Sequence, residues 1–348
     1  MSKKTGLILS IITTITLTIL LACLSSKNDL TGTVLPTKES LSQITPDLTT
    51  ELPTHIPSTA TIESTAIPSI ETPLPPTAKG GFSGERAYQD IEFQMDLGPR
   101  TPDSSAHNQT IDYIKQQLTD AGWVVQQQEM TIKGKTVKNI IAYRDIDHKD
   151  EEAEWTILGT HYDTRLIAYR DLDEKRRSQP VPGANDGASG VAVLLELARV
   201  LPEDLDKNIW LVFFDAEDNG RIQGWDWVLG SRAFVDSLNS TPDAALIIDM
   251  VGDEDLDIYI EKNSDKDLVT SIWSTASSLG YKQYFIPVAK RSILDDHTPF
   301  IEKLIPAALI IDLDYAFWHT TQDTIDKVSA NSLQIVGDVV YTWVTSSE

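Results

Sequence analysis

Acidic residues and histidines follow several apolar runs of this sequence, and such side chains can bind metal ions and move protons. The run at residues 209–214 is followed by Glu217 and Asp218. Adjacent carboxylates at the end of a strand point in different directions, so one can bind a metal ion while the other handles protons. The plain alternative is a solvated acidic loop that follows a core strand. The remaining motifs decide between these two interpretations.

Other acids and histidines stand at comparable places along the chain. They are His161, Asp163, Asp186, Asp249 and His319. Four of them follow an apolar run, and Asp186 directly precedes a predicted helix. Because the carboxyl ends of parallel strands meet at one edge of a sheet, these side chains can converge. Two histidines and several carboxylates, with no cysteine among them, form a nitrogen and oxygen ligand set that suits zinc.

The elements that must position these residues alternate along residues 81–348. The run at 209–214 has no polar break, which is typical of a strand buried on both faces. Further apolar runs predict strands at 123–125, 139–143, 156–158, 244–248 and 307–311. Apolar residues at helical spacing predict helices at 82–95, 106–121, 187–201, 268–279 and 332–344. The alternation predicts a single α/β domain with a mostly parallel mixed central sheet, flanked by helices on both faces.

The composition narrows the possible functions. The 348 residues carry a formal net charge of −23, and the sequence pI is about 4.5. Nucleic acid is not an expected partner, because phosphate binding needs clustered lysines and arginines. Cys23 is the sole cysteine of the sequence, so the chain can form neither an intramolecular disulfide nor a cysteine-based zinc site.

The first 80 residues predict a targeting segment and an extended stalk rather than a folded core. Residues 1–23 have a basic start and an apolar stretch of signal-peptide length, and they end in Leu-Leu-Ala-Cys. This ending resembles the lipobox of bacterial lipoproteins, which implies cleavage before Cys23 and lipidation of its thiol. The alternative is an uncleaved anchor. Residues 24–80 are rich in Thr, Ser and Pro and predict a disordered stalk. We expect an extracytoplasmic protein, lipid-anchored to a bacterial membrane.

Several ordered motifs lie between residue 81 and the C-terminus. They are GTHYD at 159–163, GANDGASG at 183–190, FFDAED at 213–218, DDHTPF at 295–300 and HTTQDT at 319–324. Together they resemble the M28 peptidase superfamily, which contains zinc aminopeptidases and animal-type glutaminyl-peptide cyclotransferases. The resemblance implies the zinc aminopeptidase-like fold, one or two bound Zn²⁺ ions, and substrates that are peptide or protein N-termini.

The resemblance also implies a role for each matching residue. The five ligand positions of the two-zinc aminopeptidases, with a bridging aspartate at position 186, match His161, Asp186, Asp218, Asp249 and His319. The cyclotransferases hold one zinc ion at the positions of Asp186, Asp218 and His319. In that branch, the acids near the reacting nitrogen and the leaving group match Asp249 and Asp295. Glu217 matches the general base of both branches, and Asp163 matches an acid that orients His161.

Position 218 departs from the pattern, because both branches usually have a glutamate there. Aspartate is one methylene shorter, so either the metal ion or the strand end must shift for Asp218 to reach it. Aspartate remains a competent zinc ligand. The departure leaves the number of bound ions open.

Three features favour the cyclotransferase branch. Trp318 directly precedes His319, Trp225 and Trp227 could close a small pocket, and Asp295 is followed by a second acid. Ordinary packing of the tryptophans is the alternative. Two features count against that branch: Leu294 stands where a polar residue often contributes, and the stretch 319–328 is similar to that of the aminopeptidases.

The expected reaction is therefore conversion of an N-terminal glutamine to pyroglutamate with release of ammonia. One alternative is a zinc aminopeptidase that hydrolyses the N-terminal peptide bond. A lesser alternative is a metal-binding surface module without catalysis. Such a module would not need a base, and Glu217 is present beside a full ligand set.

Overall fold

The computed structural model describes residues 81–144 and 154–346. The predicted signal segment with Cys23 and the predicted stalk at 24–80 lie outside the described residues. Within the described part of the chain, no helix combines the length and the apolar composition that crossing a membrane requires.

Eight strands form two sheets in the described residues. The strands are β1 (Val124–Ile132), β2 (Lys135–Tyr143), β3 (Trp155–His161), β4 (Asn208–Phe214), β5 (Ala244–Asp249), β6 (Ile258–Glu261), β7 (Phe285–Arg291) and β8 (Ala307–Ile311). The larger sheet has the order β1-β2-β4-β3-β5-β8, and β6 and β7 form a parallel pair. In the larger sheet, β1 and β2 pair antiparallel, as do β2 and β4. The pairs β4–β3, β3–β5 and β5–β8 are parallel. The prediction of a mixed, mostly parallel sheet is confirmed.

Helices cover both faces of this sheet, as predicted. They are α1 (Gly84–Leu97), α2 (Ser105–Asp120), α3 (Ala188–Val200), α4 (Leu229–Ser237), α5 (Lys266–Ser278), α6 (Thr298–Glu302) and α7 (Ala330–Thr345). Serine caps start the first two, because Ser83 accepts a hydrogen bond from the backbone N–H of Arg86, and Ser104 accepts one from that of His107.

The apolar run of strand β4 has no polar break because its side chains contribute to two hydrophobic cores. Leu211 and Phe213 belong to one hydrophobic core, together with residues of α1, α2, α3, α5 and α7. Val212 and Phe214 belong to a second core, which residues of α4 and α6 complete. Successive side chains of a strand point to opposite faces. A strand between two helical layers therefore buries its residues 211–214 on both faces, which fixes β4 at the centre of the fold and its acidic end at the sheet edge.

Candidate functional site

The carboxyl edge of the parallel strands gathers the predicted site residues. His161 is the last residue of β3, and Asp249 is the last residue of β5. Asp186 lies just before α3, and His319 lies in the loop after β8. Glu217, Asp218 and these four side chains are all buried. The convergence that the sequence predicted is therefore present in the described residues.

One group of possible metal ligands consists of Asp186, Asp218 and His319. The Asp218 Oδ1 atom lies 2.7 Å from the His319 Nε2 atom. The Asp186 Oδ2 atom lies 3.4 Å from the same nitrogen. Asp218 thus reaches the histidine in spite of its shorter side chain. The three ligand atoms face one another in a space of the size that a single ion needs.

A second group consists of His161, Asp186 and Asp249. The His161 Nε2 atom lies 3.0 Å from Asp249 Oδ1 and 3.3 Å from Asp186 Oδ1. Asp186 therefore turns one carboxylate oxygen toward each histidine. This is the arrangement that a bridging carboxylate between two ions requires.

The donor set and its spacing fit zinc. Two ligands held at about 2.1 Å from a tetrahedral ion lie roughly 3.4 Å apart, and the separations of 2.7 to 3.4 Å in these groups are close to that value. The Oδ2 atoms of Asp186 and Asp218 are buried and have no hydrogen-bond donor among the described protein atoms. Buried carboxylate oxygens need a donor or a cation. A metal ion would satisfy both.

The turn after β4 gives its two acids separate positions. Ala216 adopts a left-handed backbone conformation, with φ at 54°. Asp163 accepts hydrogen bonds from the backbone N–H of Glu217 at 3.0 Å and from the Asn219 side chain at 3.2 Å. Asp163 Oδ1 also lies 3.5 Å from His161 Nδ1, the nitrogen that it was expected to orient. The hydrogen bonds of Asp163 are therefore made to the turn at residues 215–219, which we call the acid turn.

A carboxylate that the sequence reasoning missed supports Asp186. Asp323 accepts hydrogen bonds from the backbone N–H groups of Asn185 at 2.8 Å and Asp186 at 3.1 Å. The Tyr315 hydroxyl donates to the same carboxylate at 2.8 Å. Asp323 belongs to the HTTQDT motif, so its motif membership was the available signal. Its buried side chain fixes the backbone that carries Asp186.

A cavity of about 270 Å³ opens onto these groups. The buried carboxyl groups that line it are those of Glu217, Asp295, Asp186, Asp218 and Asp249. Trp227 and Trp318 form aromatic walls, and the Trp227 ring lies nearly parallel to the His319 ring, with the centroids 6.2 Å apart and an interplanar angle of 8°. The cavity lining thus combines buried carboxyl groups with flat aromatic rings.

Trp225 does not line this cavity, which corrects its predicted place in the substrate pocket. Its ring packs against a separate cluster that includes Val137, Ala216 and Leu229, under the ammonium group of Lys135. Trp227 faces the cavity because it packs against Gly220, where a Cβ atom would lie 2.1 Å from the ring. Two tryptophans in one loop therefore have different surroundings, and spacing alone did not separate them.

Burial changes the acidity of the carboxyl groups in the cavity. Burial raises the pKa of Glu217 well above its usual range, and the Asp218 carboxylate beside it raises that pKa further. Burial, together with the charge of Asp249, raises the pKa of Asp295 to about 7. Side chains of this kind can hold and release protons near neutral pH, as acid–base catalysis requires.

Tyr169 is a cavity residue that the sequence reasoning missed. Its ring centroid lies 5.1 Å from that of His319, and 40% of the residue is exposed. It belongs to the loop after the GTHYD motif, which has no helical or strand periodicity. The one sequence feature that could have indicated Tyr169 was its short distance from His161 along the chain.

A largely parallel sheet whose strand ends hold two histidine–carboxylate groups beside a cavity defines an α/β metalloenzyme. The model of peptidase family M28 matches residues 139–344, which is more than half of the chain. The chain belongs to peptidase family M28, and the resemblance inferred from its motifs is confirmed.

Known proteins of two kinds are similar to this chain. Aminopeptidase YwaD of Bacillus subtilis (strain 168) is 29% identical over 281 residues, which cover 74% of this chain and 56% of YwaD. The crystal structure of Porphyromonas gingivalis glutaminyl cyclase has a TM-score of 0.70 and 32% identity, covering 75% of this chain and 97% of that one. The structure of a Zn-dependent exopeptidase from Parabacteroides distasonis has a TM-score of 0.72 and 30% identity, with coverages of 78% and 100%.

Proposed function

We propose that this chain is a zinc-dependent glutaminyl-peptide cyclotransferase, which converts an N-terminal glutamine to pyroglutamate and releases ammonia. The observation that carries the proposal is the cavity itself. Its aromatic walls, Trp227 and Trp318, lead to Glu217 and Asp295 beside the group formed by Asp186, Asp218 and His319. The similarity to a glutaminyl cyclase of known structure supports the same reaction.

The residues would divide the chemistry as follows. Asp186, Asp218 and His319 would hold a zinc ion, which supplies a Lewis acid toward the side-chain carbonyl of the substrate. Glu217 takes a proton from the α-amine as that nitrogen bonds to the side-chain amide carbon. Glu217 then delivers a proton to the amide nitrogen as its bond to carbon breaks, so that ammonia leaves. Asp295 accepts a hydrogen bond near these nitrogens. No water is consumed.

Exclusion of water distinguishes this reaction from hydrolysis. The walls formed by Trp227 and Trp318 are flat and apolar, which suits the methylene groups of a folded glutamine side chain. A substrate held against them reacts within itself, so positioning its amine near its own amide is a large part of the catalysis. The walls therefore serve both binding and reaction.

An M28 zinc aminopeptidase is the second candidate, and one observation favours it. His161, Asp186 and Asp249 complete a second ligand group, in which Asp186 turns its other oxygen toward His161. Two ions bridged by Asp186 would suit hydrolysis of the N-terminal peptide bond, with Glu217 as the base that deprotonates water. The similarities to YwaD and to the exopeptidase support this alternative.

One assay separates the candidates. Purified protein with zinc is offered two fluorogenic peptides that differ only in an N-terminal glutamine or leucine. The proposal predicts ammonia release from the glutamine peptide and no hydrolysis of the leucine peptide. Release of leucine would make the protein an aminopeptidase. Inactivity toward both peptides, with zinc bound, would favour a metal-binding module without catalysis.

We propose further that the enzyme is a lipoprotein anchored through Cys23 to a bacterial membrane, facing away from the cytoplasm. The support is the lipobox-like sequence and the Thr/Ser/Pro-rich stretch at 24–80, which would hold the enzyme away from the bilayer. Cells that express the full chain would incorporate labelled fatty acid into the wild type and not into Cys23→Ser. Equal labelling of both proteins would contradict the anchor.

A further inference from the structure

Arg165 is a buried cation beside the metal-ligand group that the reaction above does not use. Its side chain is 3% exposed. It lies at the start of the loop after the GTHYD motif, four residues beyond His161 in the sequence. Burying a guanidinium costs free energy unless its donors are satisfied. Its Nε atom has no hydrogen-bond partner among the described residues, so the partners of its two Nη atoms indicate what the residue does.

The guanidinium donates hydrogen bonds to the acid turn and to the residue that follows it. The Nη1 atom donates to the backbone carbonyl of Asp218, and the Nη2 atom donates to the carbonyl of Gly220 at 3.0 Å. The Nη1 atom also lies 3.8 Å from the Asp218 carboxylate. The backbone N–H of Leu166 adds a bond to the Asn219 side chain at 2.9 Å. The loop therefore holds the acid turn from one side.

The same guanidinium lies over two aromatic rings that line the cavity. The Arg165 Cζ atom lies 4.7 Å from the centroid of Tyr169 and 4.8 Å from that of Trp227. Trp227 lies parallel to the His319 ring, and Tyr169 lies 5.1 Å from it. One side chain thus links a metal-ligand turn to two rings that line the cavity. A planar cation can hydrogen-bond at its edge and stack on its faces at once.

We propose that Arg165 is a positioning residue that holds the backbone of Asp218 and the ring of Trp227 in place relative to each other. It thereby sets both the affinity for the metal ion and the binding of substrate. The carbonyl contacts fix the backbone from which Asp218 extends toward His319. The stacking contacts hold the Trp227 ring at the wall. The planar fork is essential to this role, because an ammonium group has one point of charge and no flat face.

The inference rests on the proposed function, since it takes Asp186, Asp218 and His319 as the metal ligands. Its test therefore begins with the metal ion alone. Zinc affinity is measured by competition with a chromophoric chelator for the wild type, Arg165→Lys and Arg165→Met. Loss of a partner that orients a metal ligand lowers affinity by about 10- to 100-fold. We expect a loss of this size in both variants, although Arg165→Lys keeps the positive charge.

Steady-state kinetics give the second readout. Because the stack on Trp227 shapes the cavity, Arg165→Lys is expected to raise KM severalfold and to lower kcat less, at saturating zinc. Lys135→Met is the matched control, since the Lys135 ammonium lies over the Trp225 ring outside the cavity, 4.4 Å from the ring centroid. It removes a cation–aromatic contact of the same kind and is expected to change neither zinc affinity nor KM.

A variant at an exposed position covers the case in which the Arg165 variants do not fold. Tyr169→Leu removes one of the two stacked rings, and we expect it to weaken zinc binding severalfold. Leu172→Ser lies in the same loop, is 89% exposed and is expected to have no effect. Wild-type zinc affinity in Arg165→Lys, or in Tyr169→Leu if the Arg165 variants are unfolded, would overturn the inference alone. If the wild-type protein binds no zinc, or binds zinc in a way that does not depend on His319, the proposed function is overturned as well.

Discussion

At the residue scale, the reaction depends on how two consecutive carboxylates are separated. Asp218 points to His319, at 2.7 Å, whereas Glu217 lines the cavity and makes no side-chain hydrogen bond within the described residues. Asp163 holds the backbone N–H of Glu217, and the left-handed residue Ala216 sets the path of the chain. One acid is thereby placed where it could bind a metal ion, and its neighbour is placed where it could accept a proton.

Replacing Glu217 with glutamine tests this separation. Glutamine keeps the size of the side chain and removes its ability to accept a proton. We expect kcat to fall by about 10²- to 10⁴-fold, the usual contribution of a general base. Zinc content, measured by atomic absorption, should equal that of the wild type. Metal loss in Glu217→Gln would instead make Glu217 a ligand.

The tryptophans offer a second test at this scale. Trp227→Leu removes the ring that lies parallel to His319, and we expect kcat/KM to fall about 2- to 10-fold, because an aromatic contact of this kind is worth about 0.5–1.5 kcal/mol. Trp225→Leu should leave kcat/KM unchanged, since that ring packs outside the cavity. Kinetics with one glutamine peptide compare both variants. Equal losses in the two would contradict the assignment of Trp227 to the wall.

The sequence was sufficient to predict the residues that could hold the metal ion. His161, Asp186, Asp218, Asp249 and His319 combine a ligand type with a place at a strand end or a helix start, and those two properties are visible in the sequence. Arg165, Tyr169 and Asp323 were not predicted. They act mainly through contacts with residues distant in sequence. The only local signals were the place of Asp323 in the HTTQDT motif and the short distance of Tyr169 from His161 along the chain.

At the element scale, helix α4 braces the acid turn. A Cβ atom added at Gly230 would lie 2.2 Å from the backbone oxygen of Asp215 and 2.6 Å from Asn139 Oδ1. The Asn139 side chain in turn donates to the Gly230 carbonyl at 2.8 Å and accepts from the Asp215 N–H at 3.0 Å. Strand β2, the acid turn and α4 therefore meet without room for a side chain at position 230.

Gly230→Ala is the corresponding prediction. The added methyl group must displace α4 or the acid turn, and forced overpacking costs about 1–3 kcal/mol. We expect urea unfolding to show a loss of this size and kcat to fall with it. Asp236→Ala is the control on the same helix, because its ion pair with Lys303 is exposed and such pairs contribute about 0–1 kcal/mol. An unchanged stability of Gly230→Ala would contradict the close packing.

The elements that carry a clear apolar run or stripe were predictable, and those without one were not. Strands β3, β4, β5 and β8 carry apolar runs, and α2, α3 and α7 carry apolar stripes, so their periods are clear. Helix α6 has five residues and β6 has four, which is too short for a period to show. Strand β7 is largely exposed and pairs with β6 through register shifts, so tertiary contacts define it rather than an apolar pattern.

At the scale of the whole molecule, buried negative charge links the metal ion to stability. The three carboxylates of the two possible ligand groups, together with Glu217 and Asp295, belong to a chain of net charge −23. Burial, with the Asp186 carboxylate adding to it, raises the pKa of Asp218 to about 6. Ionising such groups together costs free energy in the folded state. A bound cation would offset this cost and stabilise the fold.

Metal removal should therefore lower the melting temperature. A ligand present at about 1,000 times its Kd stabilises by about 4 kcal/mol, which corresponds to roughly 10 °C for a domain of this size. We expect a chelator to lower Tm by about this amount and added zinc to restore it. His319→Ala should lose most of its metal and show little response to either. A zinc-dependent Tm in His319→Ala equal to that of the wild type would remove His319 from the site.

The most direct test of the central claim uses one peptide and a mass spectrometer. A peptide that begins with Gln-Leu offers both reactions to the purified zinc enzyme at once, because its first residue can either cyclise or be removed. We predict a single product that has lost the mass of ammonia and keeps every residue. A product shortened by the N-terminal glutamine would contradict the cyclotransferase and identify an aminopeptidase.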